Sequence, residues 1–314
     1  MNRLCRFSTD TANTIHKKQQ VKMQKQKTWK VIDLLKTTAD FLKKKGIENP
    51  RLNAERLLSH VLDMERIKLY VEFARPVSNT ELSEYRTLVS RRLTNEPLQY
   101  ILGETEFMGL PFKVSTSVLI PRPETEILVE EIFKLNDQNK NVTTVLDIGT
   151  GSGCIPISLA HFWPEAHFTG IDISSDALAI AEENKSLNKK ENVSFLKKDI
   201  FGHWPDENLS KQFDLIVSNP PYVTEAEMSG LQSEVKDFEP DIALTDFSDG
   251  LKFYKHIFTL VSDGILKTKF LFLEMSGSQP EKIVDEAKKC KFNSVEVIKD
   301  LTGIDRVLKI KLNE

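Results

Sequence analysis

Two spacings of apolar residues divide this chain. From about residue 142 onward they come in short unbroken runs, such as Phe213-Asp214-Leu215-Ile216-Val217-Ser218 and Phe270-Leu271-Phe272-Leu273. Runs without in/out alternation predict strands covered on both faces, the habit of a largely parallel sheet. Val145-Leu146-Asp147-Ile148, His167-Phe168-Thr169-Gly170-Ile171 and Val193-Ser194-Phe195-Leu196 add three more strands, with helical segments between. The alternation predicts an α/β fold. Ser294–Ile298 and Arg306–Ile310 flank the Thr302-Gly303 turn and predict an antiparallel pair at the sheet edge.

Upstream the spacing is helical. Trp29 to Lys45 reads as a helix closed by Gly46, a favourable residue just past a helix end. Asn49-Pro50 is expected to cap the next, with Ala54, Leu57, Leu58, Val61 and Leu62 as its buried stripe. Ser78 with Glu81 predicts a capping box for a helix through Arg92. Phe107 to Val114 looks like a short hairpin. The expected division is a basic extension over 1–27, a helical domain over 28–105, a β-hairpin connector over 106–120 and an α/β domain over 121–314. A small helical domain of this kind suits binding of a macromolecule better than chemistry.

The most telling chemistry follows the strand at 213–218, in Asn219-Pro220-Pro221-Tyr222. The turn sets two residues of fixed φ beside one amide side chain. The Asn219 carbonyl oxygen and a neighbouring backbone carbonyl are two acceptors for one planar NH2 group. Such a nitrogen is a poor nucleophile, because its lone pair is delocalised. Holding both its hydrogens aims it at an electrophile, and positioning alone removes much of a barrier. The strand at 145–148 enters a glycine turn, Gly149-Thr150-Gly151-Ser152-Gly153, before a helix that tolerates Pro156 in its first turn. This is neither the dinucleotide fingerprint nor a phosphate loop, and no basic residue stands nearby in sequence for a pyrophosphate. Asp147, Asp172 and Asp199 follow three successive strands. Asp172 is placed to hold a ribose diol. The three acids suit a cationic ligand, and S-adenosylmethionine, with its ammonium and sulfonium charges, is one.

Composition sets outer bounds. The 314 residues allow one large and one small domain, and the net charge of −3 argues against a protein built to coat nucleic acid. Cys5, Cys154 and Cys290 are isolated and the six histidines scattered, so neither disulfides nor a metal is expected. No apolar stretch is long enough for a membrane span. Residues 1–27 carry seven basic residues against Asp10, net +6, which leaves −9 for the rest of the chain. With Ser8, Thr9, Thr11 and Thr14 this composition matches a mitochondrial transit peptide, so the matrix is the expected location, with the cytoplasm as alternative.

Over roughly residues 30 to 312 the chain resembles the HemK/PrmC family of release-factor glutamine methyltransferases. The resemblance rests on Glu96-Pro97-Leu98-Gln99-Tyr100-Ile101-Leu102-Gly103, Leu119-Ile120-Pro121-Arg122-Pro123-Glu124-Thr125-Glu126, the glycine turn, Ser218-Asn219-Pro220-Pro221-Tyr222 and the segment from Lys299 to Val307. It implies a Rossmann-like class I S-adenosylmethionine-dependent methyltransferase with an N-terminal helical domain; a monomer is expected. The acceptor implied is the Gln of the Gly-Gly-Gln motif in a class 1 peptide chain release factor, here the mitochondrial one. Asn219 and Pro220 would hold its amide, and Pro221 and Tyr222 would complete the acceptor site, Tyr222 against its aliphatic part. Asp147, Gly149, Thr150, Gly151, Ser152, Gly153, Asp172, Asp199, Ile200 and Asn219 would hold the cofactor. Ile200 stands where some relatives carry Trp, so its adenine contact would be aliphatic, and Met275-Ser276 departs from the commoner Ile-Gly after Glu274. Glu124 and Glu126 read as charges at a helix N-terminus, with Arg122 as a candidate contact to the partner. The alternative enzyme is an adenine-N6 or cytosine-N4 nucleic-acid methyltransferase, which would need a basic recognition surface that residues 28–105 lack. A non-catalytic module would show an eroded glycine turn or a missing Asn, and both are intact.

Overall fold

A computed structural model describes residues 28–137, 142–204, 209, 212–292 and 294–312. The basic extension over 1–27 lies outside the described residues. The chain divides into two compact units, one ending at Ser90 and the other beginning at Arg91.

The first unit is helical: α1 Val31–Lys44, α2 Pro50–Leu62, the short α3 Lys68–Val71 and most of α4 Asn79–Arg92. Helix α1 starts two residues later than its periodicity suggests, because Lys30 is extended and bridged to Pro76. On α2, Ala54, Leu57, Leu58 and Leu62 are buried. The expected Asn49 cap is not formed. Asn49 is left-handed at φ 47° and its side chain caps nothing. Asn53 instead donates from Nδ2 to the carbonyls of Glu48 and Asn49, at 2.9 and 3.1 Å. The capping box of α4 is present: Glu81 N–H donates to Ser78 Oγ at 3.3 Å, and Ser78 N–H to Glu81 Oε2 at 2.7 Å.

The second unit opens with α5 Leu98–Leu102 and a hairpin of β1 Glu104–Phe107 and β2 Leu110–Lys113. Helix α6 Pro123–Asp137 follows, then β3 Thr144–Ile148, α7 Cys154–Phe162, β4 His167–Asp172, α8 Ser175–Leu187 and β5 Val193–Lys197. After β6 Gln212–Ser218 come three single turns, α9 Glu225–Met228, α10 Ser233–Lys236 and α11 Asp241–Leu244. Helix α12 Lys252–Ser262, β7 Lys267–Glu274, α13 Pro280–Lys289, β8 Ser294–Lys299 and β9 Asp305–Lys311 complete it.

The sheet order is β5-β4-β3-β6-β7-β9-β8, with β9 antiparallel to both β7 and β8 and the other neighbours parallel. Alternate side chains feed two apolar layers. Val145, Leu215, Val217, Phe270 and Phe272 pack with α6 and α7. Leu146, Ile148, Ile216, Leu271 and Leu273 pack with α12 and α13. This is the class I methyltransferase architecture. Ligands of such sheets sit at the carboxyl ends of the strands, where the order reverses between β3 and β6.

Candidate active site

Strand register assembles the site. Ile148 of β3 lies opposite both Ile171 of β4 and Ser218 of β6. The next residues, Gly149, Asp172 and Asn219, therefore come together at the carboxyl end of the sheet, Asp172 as the last residue of β4. A cleft of about 350 Å³ opens there, and its wall includes Gly149, Thr150, Gly151, Ser152, Asp172, Asp199, Ile200, Asn219, Pro220 and Pro221. Ser218 Oγ donates to the Ile148 carbonyl at 2.6 Å, tying the two strand ends together.

Gly149 and Gly151 have φ of 74° and 55°, with no atom within 4 Å of where a Cβ would stand. The turn needs glycine for its backbone, and it leaves bare main chain facing the cleft. Gly153 does not line the cleft; a Cβ there would stand 2.9 Å from Phe195 Cζ and 3.0 Å from Ile157 Cδ1. Its absence of a side chain packs α7 against the sheet. Asp172 lines the cleft and also braces the turn, accepting from Gly151 N–H through Oδ2 and Ser174 N–H through Oδ1, both at 2.9 Å. Burial pushes its carboxyl above the usual range, opposed by those two N–H groups and that of Ile173. Asp199 is exposed at the opposite rim and caps Phe201 N–H.

Asp147 is placed differently from the other two acids. It shares the face of β3 with Val145, within the apolar layer, and is 0 % exposed. Neither carboxylate oxygen completes a hydrogen bond, and neither does the Thr150 hydroxyl beside it. Burial pushes its pKa to about 7, partly offset by Thr150 and reinforced by the negative charge of Asp172. An unsatisfied carboxylate directly beneath a glycine turn is a sink for positive charge.

On the other side of the cleft, Asn219 Nδ2 donates to Thr125 Oγ1 at 3.1 Å. The Tyr222 hydroxyl donates toward Glu274 Oε1, 3.4 Å distant. Arg122 ion-pairs with the buried Glu239 at 2.6 Å, so it is occupied within the second unit. Glu124 and Glu126 lie in the first turn of α6, as expected, and Glu126 also accepts from Met108 N–H of the hairpin at 2.7 Å.

Several wall residues are ones that sequence reasoning misses. Phe201 follows Ile200 into the cleft, so an aromatic face is available beside the aliphatic one. Lys198 and Lys252 also reach the wall, although neither stands near the glycine turn in sequence. Lys198 Nζ bonds the His203 carbonyl at 2.8 Å, and Lys252 Nζ lies 4.8 Å from the centre of the Phe201 ring. The buried Asp246 accepts backbone N–H groups of Ser248, Gly250 and Lys252, which builds the loop entering α12. The usable signal for the last is Asp246 two residues before Ser248-Asp249-Gly250, a turn-like run. The lysines give none.

The donor set fits S-adenosylmethionine: bare backbone at Gly149 and Gly151, carboxylates at Asp172 and Asp199, an unsatisfied acid behind them, and Ile200 with Phe201 for a flat ring. Among the described residues no group of three His, Cys, Asp or Glu side chains is arranged for a metal ion, and no helix is long and apolar enough to cross a membrane.

Comparison with known proteins agrees. Residues 33–103 match the PrmC N-terminal domain and 139–310 a methyltransferase domain. The release factor glutamine methyltransferase of Fusobacterium nucleatum is 42 % identical over 283 residues, covering 89 % of this chain and 78 % of that protein. That of Geobacter sulfurreducens is 40 % identical over 285 residues, covering 91 % and 98 %. In fold alone, the chain is like the catalytic domain of human METTL16 solved with a MAT2A 3′UTR hairpin, with a TM-score of 0.52 at 16 % identity over 77 % of this chain and 86 % of that one. The chain belongs to the release factor glutamine methyltransferases, a family of enzymes that take their methyl group from S-adenosylmethionine.

Proposed function

We propose that this enzyme methylates the side-chain amide nitrogen of the Gln in the Gly-Gly-Gln motif of a class 1 release factor. The observation that carries it is the placement of Asn219 and Pro220 on the wall of the cleft, one strand away from the glycine turn. Asn219 Oδ1 and the Pro220 carbonyl accept the two amide hydrogens and direct the nitrogen lone pair into the cleft. Pro221 supports this turn, and Tyr222 buttresses it from behind through its ring. Bound in the other half of the cleft, S-adenosylmethionine supplies a methyl made electrophilic by its sulfonium. Asp172 takes the ribose hydroxyls and Asp199 the adenine side, with Ile200 and Phe201 against the ring. Gly149 and Gly151 let the main chain approach the amino-acid portion, Gly153 packs α7 behind them, and Asp147 balances its positive charge. As the nitrogen forms its bond to the methyl carbon, the carbon–sulfur bond breaks and its electron pair returns to sulfur. The nitrogen then sheds one proton to water. No strong base is needed, because the nitrogen becomes acidic as it gains the methyl.

The helical unit is assigned to holding the release factor, and the basic, hydroxyl-rich residues 1–27 to mitochondrial import, which makes a mitochondrial release factor the acceptor. Labelled S-adenosylmethionine with a release factor should place label on the Gly-Gly-Gln glutamine by mass spectrometry, and a Gln→Ala acceptor should take none. Label on that altered acceptor, or on DNA instead, would remove the assignment. Residues 1 to 30 fused to a fluorescent protein should carry it into mitochondria, provided the full-length protein goes there too. A cytosolic fusion beside an imported full-length protein would mean that the signal extends further, and both cytosolic would end the proposal.

A further inference from the structure

Ser218 of β6 lies opposite Leu273 of β7, so Asn219 and Glu274 come next to each other where the two strands end. Thr125, in the first turn of α6, joins them: its Oγ1 accepts from Asn219 Nδ2 at 3.1 Å, and α6 packs along β7, which Glu274 ends. Burial pushes the Glu274 carboxyl up, and the Thr125 hydroxyl opposes that rise. Thr125 and Glu274 are 2 % and 1 % exposed, whereas Asn219 is half-buried on the cleft wall. Glu274 closes an otherwise apolar strand end, Phe270-Leu271-Phe272-Leu273. Its Oε2 is buried without a completed hydrogen bond, and Oε1 takes a long contact of 3.4 Å from the Tyr222 hydroxyl. A carboxyl so poorly satisfied is costly to keep, and no role in the transfer described above uses it.

We infer that Glu274 and Thr125 are a positioning pair that fixes which way the Asn219 amide faces. An amide has an acceptor on one side and donors on the other, and half a turn of its plane exchanges them with little change in shape. Threonine alone does not choose between the two, since its hydroxyl can accept from the NH2 or donate to the carbonyl. An ionised carboxylate only accepts. Glu274 therefore accepts a hydrogen bond from the Thr125 hydroxyl, the Thr125 oxygen is left to accept from Asn219 Nδ2, and Asn219 Oδ1 is turned toward the acceptor. The reversed amide would set its own N–H groups against those of the incoming nitrogen and would suit a carboxylate oxygen instead. The pair thus selects glutamine over glutamate, a consequence that rests on the proposed grip of the acceptor by Asn219.

The test compares Thr125→Val, Thr125→Ser, Thr125→Ala, Glu274→Gln and Asn219→Ala in the full chain. Methyl transfer to a release factor, S-adenosylmethionine affinity and melting temperature are measured for each. Valine keeps the shape and removes the hydroxyl, so kcat should fall about 10- to 100-fold with cofactor affinity unchanged. Serine should restore most of the turnover. A packing role would give the opposite order, valine active and serine impaired. Glu274→Gln offers Thr125 a donor as well as an acceptor and so no longer fixes the hydroxyl's direction; it should lower kcat alone and add little to Thr125→Val, as coupled neighbours do. A Thr125→Val enzyme within about twofold of wild type, beside an inactive Asn219→Ala, overturns the pair and leaves the grip standing. Full turnover in Asn219→Ala removes the grip itself. If Glu274→Gln does not fold, the threonine series decides alone.

Discussion

Asn219→Ala should bind S-adenosylmethionine nearly as wild type does, yet transfer methyl groups slower by orders of magnitude. The turn that carries Asn219 is held by other groups. Ser218 Oγ anchors the strand end to the Ile148 carbonyl, Pro220 is buried, and Val223 N–H bonds the Leu244 carbonyl at 2.9 Å. Truncation at Asn219 therefore removes an acceptor without collapsing the cleft, and the glycine turn and Asp172 stay in place. What is lost is the aim of a weak nucleophile. Positioning of this kind is worth up to about 7–11 kcal/mol in well-oriented reactions, so even a fraction of it spans several decades of rate. The signature is a fall in kcat with little change in cofactor affinity, measured by single-turnover transfer and calorimetry. Asn219→Asp keeps an acceptor oxygen but brings a second carboxylate toward Glu274 and removes the donor to Thr125. It should retain more activity than alanine and far less than wild type. Weakened cofactor binding equal to the loss in rate would mean that Asn219 serves the cofactor, not the acceptor.

The edge of the sheet is legible in sequence because each strand is a continuous apolar run that stops at a residue with its own chemical role, at Gly149, Asp172 and Asn219 in turn. The antiparallel pair at the end of the sheet is legible from its short turn, and the capping box from its spacing. Thr125 and Glu274 are not. Thr125 sits 94 residues from Asn219 in sequence, and its meaning depends on where α6 begins relative to β6. Glu274 looks like the polar end of a strand; only the pairing of Ser218 with Leu273 sets it beside Asn219. Sequence order groups Asp147 with Asp172 and Asp199 as a wall residue. Its alternation with Val145 holds it instead within the apolar layer, and this side-chain period of two is already present in the sequence. The Asn49 side-chain cap is missing because Asn49 takes a left-handed conformation, which small amides tolerate, in place of the extended one from which a side chain reaches the first helical N–H groups.

Affinity for S-adenosylmethionine should fall about tenfold for each pH unit below 7, because two events at Asp147 exclude each other. Burial places its pKa at about 7 in the free protein. Above that pH the buried carboxylate is ionised and unsatisfied, ready to offset a bound positive charge. Below it, the proton already supplies that charge and must leave before the ligand gains anything. The same shift has a consequence for folding, with a definite sign. Unfolded, Asp147 titrates near 3.8, so between about 4 and 7 the folded chain holds a proton that the unfolded chain has lost. The contribution of Asp147 to stability therefore declines as pH rises through that window, and saturating S-adenosylmethionine should recover part of it. Above about 8 the α-ammonium of the ligand begins to titrate, so affinity should peak between these two limits. Glu274, also pushed to about 7 by burial with Glu124 adding to the rise, faces Thr125, Tyr222 and Arg306 and stands apart from the cofactor half of the cleft. It should leave its mark on turnover at saturating cofactor, not on binding. Calorimetry from about pH 5.5 to 8.5 in buffers of different ionisation enthalpy would count the proton released on binding. Asp147→Asn should abolish that release and flatten the acid limb of the affinity profile, while Glu274→Gln should leave the limb intact. An acid limb that survives in Asp147→Asn would show that the proton sits elsewhere, with Asp172 the next group to test.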